Sequence, residues 1–407
     1  MIMINVDIND FISRFVTKRS DSLFKKDLLN NEDRLKNEIN NKSVLVIGGA
    51  GTIGSSYIKA LLKFRPSKLV VVDINENGLT ELVRDLRSSV EYNIPIDFIT
   101  YPINFGHKVF ENLFTNHGPF NIVANFAAHK HVRSEKDVFS IQAMIENNVL
   151  QARKLLDLLL KNPPEHFFCV STDKAANPVN IMGASKKLME ELIMAYSSQL
   201  NITTARFANV AFSNGSLPLG FINRLNKKQP WSCPLGIKRF FVSPEESGQL
   251  CLIASVLGSS GDIFFPKLDE NIDMIPFENI AKDLLKYLGL EIDFCQSEEE
   301  AKRKASLLTK DSKKFPVYFF GSDTSGEKTF EEFYTKDEIL DQEKFQNLGV
   351  IKNSIKRDLT EIDNIFKNLT DIFLSNDVSK QQIINALVKY LPNFEHIETG
   401  KHLDQKM

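Results

Sequence analysis

The chain has 407 residues, 43% of them hydrophobic and 25% charged, which suits a folded protein with one large domain or two. The formal net charge is −2, so nothing argues for a nucleic-acid partner or an anionic membrane surface. The four cysteines form no C-x-x-C pair, and we expect reduced thiols and no metal site.

The first 42 residues carry scattered apolar side chains among many charges and are expected to form a helical arm. This arm would cover the main domain or contact another subunit. Asp7 and Asp10 interrupt the only early apolar stretch, no small-residue cleavage site follows, and no apolar run in the chain approaches about 18 residues. We therefore expect no signal peptide, no membrane insertion and a cytoplasmic location.

From residue 43 to 212, short β-branched or aromatic runs alternate with helix-periodic segments. Strands are predicted at 43–48, 68–73, 98–101, 120–127, 166–172 and 203–210. Helices are predicted at 53–64, 77–90, 138–160 and 182–200. This alternation predicts an α/β fold with a doubly wound, Rossmann-like parallel sheet.

Residues 213–407 have a looser pattern, which predicts a smaller mixed α/β substrate-binding region with a C-terminal extension. A strand is predicted at 262–265, a helix at 277–288, a solvated helix at 297–304 and a last helix at 379–391.

The first predicted strand runs into a turn with glycines at three-residue spacing, followed by a helix. Such a turn lets a pyrophosphate approach the helix N-terminus, where backbone N–H groups are free. The candidate cofactor-binding residues in it are Gly48, Gly51, Thr52, Ile53 and Gly54. The alternative is a plain strand–helix turn.

Asp73 ends the second predicted strand, where a carboxylate can bind the ribose hydroxyls of NAD and repel the 2′-phosphate of NADP. We therefore favour NAD over NADP. The alternative for Asp73 is a turn or helix-capping residue.

A polar segment follows the predicted strand 166–172, and ligands of such sheets lie beyond the carboxyl ends of the strands. Thr172, Asp173, Lys174 and Lys186 bring a hydroxyl, a carboxylate and two ammonium groups to this edge. An adjacent acid and base can serve general acid–base chemistry. The alternative is that Asp173 and Lys174 are exposed loop charges.

Several motifs resemble the extended short-chain dehydrogenase/reductase superfamily, and within it the polysaccharide-biosynthesis UDP-N-acetylglucosamine 4,6-dehydratases. They are GGAGTIG (48–54), AAHKHV (127–132), NNVL (147–150), STDKA (171–175), MGASK (182–186), RFANV (206–210) and GEKTFEE (326–332). The resemblance covers residues 43–290 well and a few later patches.

The resemblance implies a role for each matching residue. Thr172 would hydrogen-bond the sugar, Asp173 would protonate the leaving C6 hydroxyl, and Lys174, held neutral by burial and by Lys186, would remove the C5 proton. Lys186 would also bind the nicotinamide ribose. Further implied residues are Asn104, Ala127 and Asn148 for the cofactor, and Lys130, Asn209, Asn214 and Arg239 for the nucleotide sugar.

The chain departs from the family at Met182, where Tyr-x-x-x-Lys is usual. Methionine cannot transfer a proton, so the C4 hydroxyl proton would pass to Asp173, Lys186 or water. Arginines of the family are replaced at Asn214 and Thr324, which leaves GDP open beside UDP as the nucleotide. His129 and His131 lack the companions of a metal site.

The resemblance thus implies an NAD-dependent lyase that dehydrates a nucleotide-activated N-acetylhexosamine, UDP-N-acetylglucosamine first, to a 4-keto-6-deoxy sugar. It also implies a homo-oligomer built through the helices 138–160 and 182–200. The alternatives are a C4 epimerase, which Met182 disfavours, a GDP-linked substrate, and a cofactor-binding protein without turnover.

Overall fold

The computed structural model describes residues 6–321, 326, 328–352, 354, 356–375 and 377–398. The N-terminal arm is helical: α1 (Ile8–Phe11) continues into a π-helical turn (Ile12–Val16), and α2 (Lys25–Asn30) and α3 (Glu32–Ile39) follow. Phe11 is fully buried with its ring 5.8 Å from that of Phe212. Arg19 pairs with Glu246 at 2.9 Å, so the arm is fixed to the body of the same chain.

The next part of the chain alternates strands and helices as predicted. The strands are β1 (Ser43–Ile47), β2 (Lys68–Asp73), β3 (Asp97–Pro102), β4 (Ile122–Asn125), β5 (His166–Val170) and β6 (Ile202–Ala205). The helices are α4 (Thr52–Leu62), α5 (Glu76–Ser88), α6 (Lys108–His117), α7 (Val138–Ile145), α8 (Gln151–Leu159) and α9 (Ile181–Ala195). A π-helical turn (Glu146–Leu150) joins α7 to α8.

These six strands are parallel and lie in the order β3-β2-β1-β4-β5-β6. That is the order of a doubly wound dinucleotide-binding sheet, so the predicted fold class is confirmed. The central strands are buried on both faces because helices cover both sides, which explains their continuous apolar runs.

The second half contributes to three sheets. Its strands are β7 (Asn209–Val210), β8 (Trp231–Leu235), β9 (Lys238–Val242), β10 (Ile263–Pro266), β11 (Met274–Pro276), β12 (Glu291–Cys295), β13 (Lys314–Gly321), β14 (Leu340–Asp341) and β15 (Leu348–Ile351). Its helices are α10 (Leu217–Asn226), α11 (Pro244–Leu257), α12 (Phe277–Tyr287), α13 (Glu298–Ala305), α14 (Leu359–Leu374) and α15 (Lys380–Tyr390).

Three of these strands extend the first sheet beyond β6. β10 pairs parallel with β6, β15 pairs antiparallel with β10, and β14 pairs with β15, which makes nine strands. The remaining strands form two small sheets, β11-β9-β7 and β12-β13-β8, around a second core. The predicted domain boundary after residue 212 therefore separates β10, β14 and β15 from the strands β1–β6 of the same sheet.

The prediction of one strand over 203–210 is wrong, because β6 ends at Ala205 and β7 starts at Asn209 in another sheet. Arg206, between them, is fully buried and paired with Glu190 and Glu338 at 2.6 and 2.7 Å. This ion-pair network lies at the end of the parallel sheet.

The helix α9, predicted as a subunit contact, is covered by α14 and α15 of the same chain. Arg357 reaches Glu191 of α9 at 2.6 Å, and Arg153 of α8 reaches Asp363 of α14 at 2.8 Å. Within the described residues no helix is both long and apolar enough to cross a membrane.

Candidate active site

The glycine turn between β1 and α4 has the shape of a phosphate cradle. Gly48 has φ +76°, and a Cβ there would lie 2.5 Å from the amide nitrogen of Ala127. A Cβ on Gly54 would lie 2.3 Å from the Gly48 carbonyl oxygen, so glycine brings helix and turn together. A Cβ on Gly51 would meet only that oxygen, at 3.4 Å. The turn therefore leaves open space at Gly51, in front of the free N–H groups of α4.

Two neighbours complete the turn. Thr52 accepts a hydrogen bond through Oγ1 from the backbone N–H of Asn214 at 3.0 Å. Ile53 is half-buried and packs against the main core.

Asp73 lies at the carboxyl end of β2 against this turn. Its Oδ2 accepts from the Ala50 N–H at 3.0 Å, and its Oδ1 accepts from the Asn75 N–H at 2.9 Å. Asn75, not Asp73, caps α5, since its side chain accepts from the Gly78 N–H at 2.9 Å. Asp73 is thus placed beside the cradle and is not the capping residue.

The next strands place two further predicted residues at the same edge. Asn104 follows β3, and its Oδ1 accepts from the Gly106 N–H at 2.8 Å. Ala127 follows β4, and its N–H donates to Asn125 Oδ1 at 3.0 Å.

Asn148 is buried in the π-helical turn and joins two parts of the site. Its Oδ1 accepts from the His129 N–H at 2.8 Å, and its Nδ2 donates to the His129 carbonyl at 2.9 Å. The same Nδ2 lies 3.1 Å from Ser185 Oγ. Asn148 therefore fixes the loop of Lys130 relative to α9, next to Lys186.

Lys186 is buried in α9, and its Nζ donates to the Val170 carbonyl at 2.6 Å. Burial lowers the pKa of Lys186 below its ordinary value. Met182 is also buried, and its N–H donates to Glu135 Oε1 at 3.0 Å. Glu135 Oε2 in turn lies 3.4 Å from His396 Nε2, so the C-terminal segment reaches the start of α9.

Asp173 follows β5 and is 3% exposed, which excludes a solvated loop charge. Its Oδ1 accepts from Thr172 Oγ1 at 2.9 Å, from the Lys174 N–H at 2.9 Å and from Lys174 Nζ at 3.0 Å. Its Oδ2 is buried and has no hydrogen-bond partner among the residues that the structure describes. One oxygen is therefore fully engaged while the other is available to a ligand.

Lys174 lies between two carboxylates, because Glu331 Oε1 is 3.6 Å from its Nζ. Burial alone would lower the pKa of Lys174, but Asp173 and Glu331 outweigh it and the pKa is raised. The expectation that Lys186 would keep Lys174 neutral is therefore wrong: the groups that act on Lys174 are anions, and the nearby cation is Arg239.

Glu331 lies in the GEKTFEE motif (326–332), but the sequence assigned it no role in the site. It is 4% exposed, and burial raises the pKa of its carboxyl against the effect of Lys174. Arg239 Nη2 lies 3.9 Å from its Oε1, and Arg239 Nη1 donates to the carbonyls of Lys328 and Thr329 at 3.0 and 3.2 Å. Arg239, predicted to bind substrate, thus holds the segment that carries Glu331.

The remaining predicted substrate residues border the same edge. Lys130 is exposed and has no ion-pair partner in the described part of the chain, although the surrounding protein lowers its pKa by desolvation. Asn209 Nδ2 is buried and lacks a partner among the described residues. Asn214 is exposed, and a Cβ on the following Gly215 would meet the His131 ring at 2.8 Å. The loops of Lys130 and Asn214 therefore meet beside the glycine turn.

The replacement at Thr324 lies outside the described residues, as do Ser325 and Glu327. In the described part of the chain, no group of three or more histidine, cysteine or acidic residues is placed to hold a metal ion.

The strand order, the glycine turn and the polar segment after β5 define an extended short-chain dehydrogenase/reductase. A family model described as "Polysaccharide biosynthesis protein" matches residues 44–353, and the chain belongs to that family.

Two curated relatives and one solved structure illustrate the similarity. The chain is 27% identical over 356 residues to the capsular polysaccharide biosynthesis protein CapD of Staphylococcus aureus, covering 86% of this chain and 53% of that protein. It is 27% identical over 238 residues to a UDP-N-acetylglucosamine 4,6-dehydratase (inverting) of Campylobacter jejuni, covering 56% of this chain and 68% of that enzyme.

The solved structure is that of Pen from Bacillus thuringiensis, with a TM-score of 0.63 and 21% identity. The match covers 88% of this chain and 99% of that one. The chain spans about half the length of some curated relatives, 53% of CapD and 52% of a Bacillus subtilis polysaccharide biosynthesis protein.

Proposed function

We propose that the protein is an NAD-dependent 4,6-dehydratase of a nucleotide-activated N-acetylhexosamine, with UDP-N-acetylglucosamine as the first candidate. The observation that carries the proposal is the pair of the buried Asp173 and the half-buried Lys174 at the carboxyl end of β5, where their side chains meet at 3.0 Å. An epimerase needs no acid and base pair at C5 and C6, whereas elimination of water needs both. The similarity to the Campylobacter jejuni enzyme supports the same substrate class.

The residues around the glycine turn fit a dinucleotide. The open space at Gly51 can take a pyrophosphate, and Asp73 and Asn104 lie where ribose and adenine groups would follow. Asn148 and Lys186 would then face the nicotinamide end. When bound, the nicotinamide supplies a hydride acceptor for C4 and a hydride donor for C6. The carboxylate of Asp73 favours NAD over NADP.

Asp173 is the group that we assign to the C4 hydroxyl proton, because Met182 cannot accept it. Asp173 Oδ2 is buried without a partner among the described residues, while Lys186 Nζ is engaged with the Val170 carbonyl at 2.6 Å. Asp173 would take this proton as C4 becomes a ketone and would then donate it to the departing C6 oxygen. One carboxyl thus serves both steps.

Lys174 is assigned to the C5 proton, which the neighbouring C4 ketone makes acidic. Its Nζ lies within 3.0 Å of Asp173, so base and acid would meet adjacent carbons of one sugar. Thr172, which donates to Asp173 Oδ1 at 2.9 Å, would orient that carboxylate and the sugar.

The nucleotide part would bind between the loops of Lys130 and Asn214. Lys130 offers an ammonium without an ion-pair partner among the described residues to a diphosphate, and Asn209 offers a buried amide donor on the sugar side.

The proposal is tested by mass spectrometry of the purified protein with UDP-N-acetylglucosamine and, separately, GDP-N-acetylglucosamine. Loss of one water from either substrate supports a dehydratase and identifies the nucleotide. An isomer of unchanged mass would favour the C4 epimerase, and unchanged substrate would favour a protein without turnover on these sugars. Asp173→Asn and Lys174→Ala are expected to abolish water loss while bound cofactor remains.

A further inference from the structure

Glu331 reaches the active site on a segment that is held there by contacts independent of Lys174. Arg239 binds the carbonyls of Lys328 and Thr329, as described above. Asn180 Nδ2 donates to the Gly326 carbonyl at 2.8 Å, so the same segment is anchored at the N-terminus of α9. The position of Glu331 is therefore built into the fold.

The proposed chemistry meets a difficulty at Lys174. Its ammonium is 3.0 Å from Asp173 and 3.6 Å from Glu331, and these anions stabilise the charged form. An ammonium cannot accept the C5 proton. Lys174 must first lose a proton, and its side chain is only 17% exposed, which limits transfer to bulk water.

Asp173 is a poor recipient for this proton. Its Oδ1, which faces Lys174, already accepts three hydrogen bonds. Its Oδ2 is needed for the C4 and C6 oxygens. Glu331 is as buried as Asp173, and in the described part of the chain the cations within 4.0 Å of it are Lys174 and Arg239. Burial favours its neutral form.

We propose that Glu331 is the proton partner of Lys174: it accepts the lysine proton before C5 is deprotonated and returns it after the reaction. This inference rests on the proposed 4,6-dehydratase function. Glu331 acts through Lys174 and is a positioning residue, not a group that contacts the sugar.

The proton balance closes over one turnover. Lys174–NH3⁺ and Glu331–COO⁻ become Lys174–NH2 and Glu331–COOH, with no change in net charge. Lys174 takes the C5 proton as the C6–O bond breaks and Asp173 protonates the leaving oxygen. After C6 is reduced, Lys174 returns a proton to C5 and recovers its resting proton from Glu331. The net change is loss of one water.

This exchange predicts a pH-independent supply of neutral lysine, because the proton stays within the site. The charged groups facing the pair are Asp173, Arg239 and Lys328. Without Glu331, Lys174 must lose its proton to solvent, and the neutral fraction then rises about tenfold per pH unit below the lysine pKa.

The test is the kcat–pH profile of the full-length holoenzyme between pH 6 and 9 for wild type and Glu331→Gln. We expect a flat wild-type profile and a Glu331→Gln profile that is lowest at pH 6 and rises about tenfold per pH unit. Glu331→Asp should restore a flatter profile. Glu332→Gln, which keeps an acceptor for the 2.8 Å bond from Asn177, is the matched control and should follow wild type.

A flat Glu331→Gln profile, whether at wild-type rate or uniformly reduced, would overturn the proposal. A second measurement does not depend on turnover: acetylation of Lys174 by acetic anhydride as a function of pH, followed by mass spectrometry. Removing the Glu331 carboxylate should move the Lys174 labelling midpoint to lower pH. If wild type dehydrates no sugar nucleotide but this shift appears, the proposed function fails and the Lys174–Glu331 coupling stands; no shift would contradict the coupling itself.

Discussion

Replacing Glu190 by glutamine removes one charge from a fully enclosed ion pair behind the active site. Glu190 is 1% exposed, accepts from Ser171 Oγ at 3.0 Å and pairs with the buried Arg206 at 2.6 Å. Burial alone would raise the pKa of Glu190, but Arg206 and Lys187 outweigh it and lower the pKa from 4.5 to about 2. The folded protein therefore stabilises the ionised form of the Glu190 carboxylate relative to the unfolded chain.

The magnitude follows from linkage. A depressed pKa contributes stability above the unfolded value, and a shift of this size corresponds to about 3 kcal/mol. With an unfolding entropy of about 2 cal/mol/K per residue, Glu190→Gln should lower Tm by about 4 °C at pH 7. The contribution is fully present above about pH 4.5 and is lost as pH falls toward 2, so the two melting curves should converge there.

The assay is thermal unfolding followed by circular dichroism between pH 7 and pH 3. Glu111→Gln is the matched control, since Glu111 is paired with Lys108 on the exposed face of α6 and should leave Tm unchanged. A Glu190→Gln protein that melts within a degree of wild type at pH 7 would refute the reasoning. So would a Tm difference that persists undiminished at pH 3.

Three further outcomes are expected. Gly51→Ala should keep the wild-type Tm but weaken NAD binding at least about tenfold, as measured by calorimetry. Gly54→Ala, whose Cβ would lie 2.3 Å from the Gly48 carbonyl oxygen, should lower both the Tm and the affinity for NAD. Asp73→Ser should improve the Kd for NADP about tenfold by removing a repulsive charge, and an unchanged Kd would place the 2′-phosphate elsewhere. Arg357→Ala should loosen α14 and expose α9, so that light scattering shows a mass that rises with concentration; an unchanged mass would mean that α9 is no latent interface.

The sequence predicted the parallel sheet well because its central strands are buried on both faces. The strand 68–73 was predicted with the bounds that β2 has in the structure. Helix α11 was not predicted. Nearly all of its residues are buried, so its sequence lacks the alternation of apolar and polar faces that identifies a surface helix. It packs on α4, with Gly248 so close that a Cβ would lie 2.2 Å from the Ser56 carbonyl oxygen.

The active site was only partly predictable, because some of its residues are adjacent in the sequence and others are not. Thr172, Asp173 and Lys174 are adjacent in sequence and follow a strand, so their convergence was readable. Glu331 lies far along the chain in a loop-rich segment, and its contact with Lys174 depends on the path of that segment across the sheet edge. Glu331 adds a second anion beside Lys174 and helps to raise the pKa of that lysine. This direction could not be inferred from the STDKA motif alone.

The most direct test of the proposed dehydration is the reaction run in D2O with UDP-N-acetylglucosamine, with the product examined by NMR. We predict a 4-keto-6-deoxy sugar that has lost one water and carries solvent-derived deuterium at C5 in part of the product, because the Lys174 ammonium then holds the abstracted proton beside deuterons from solvent. Recovery of the intact sugar, or of its C4 epimer without deuterium at C5, would contradict the assignment of Asp173 and Lys174.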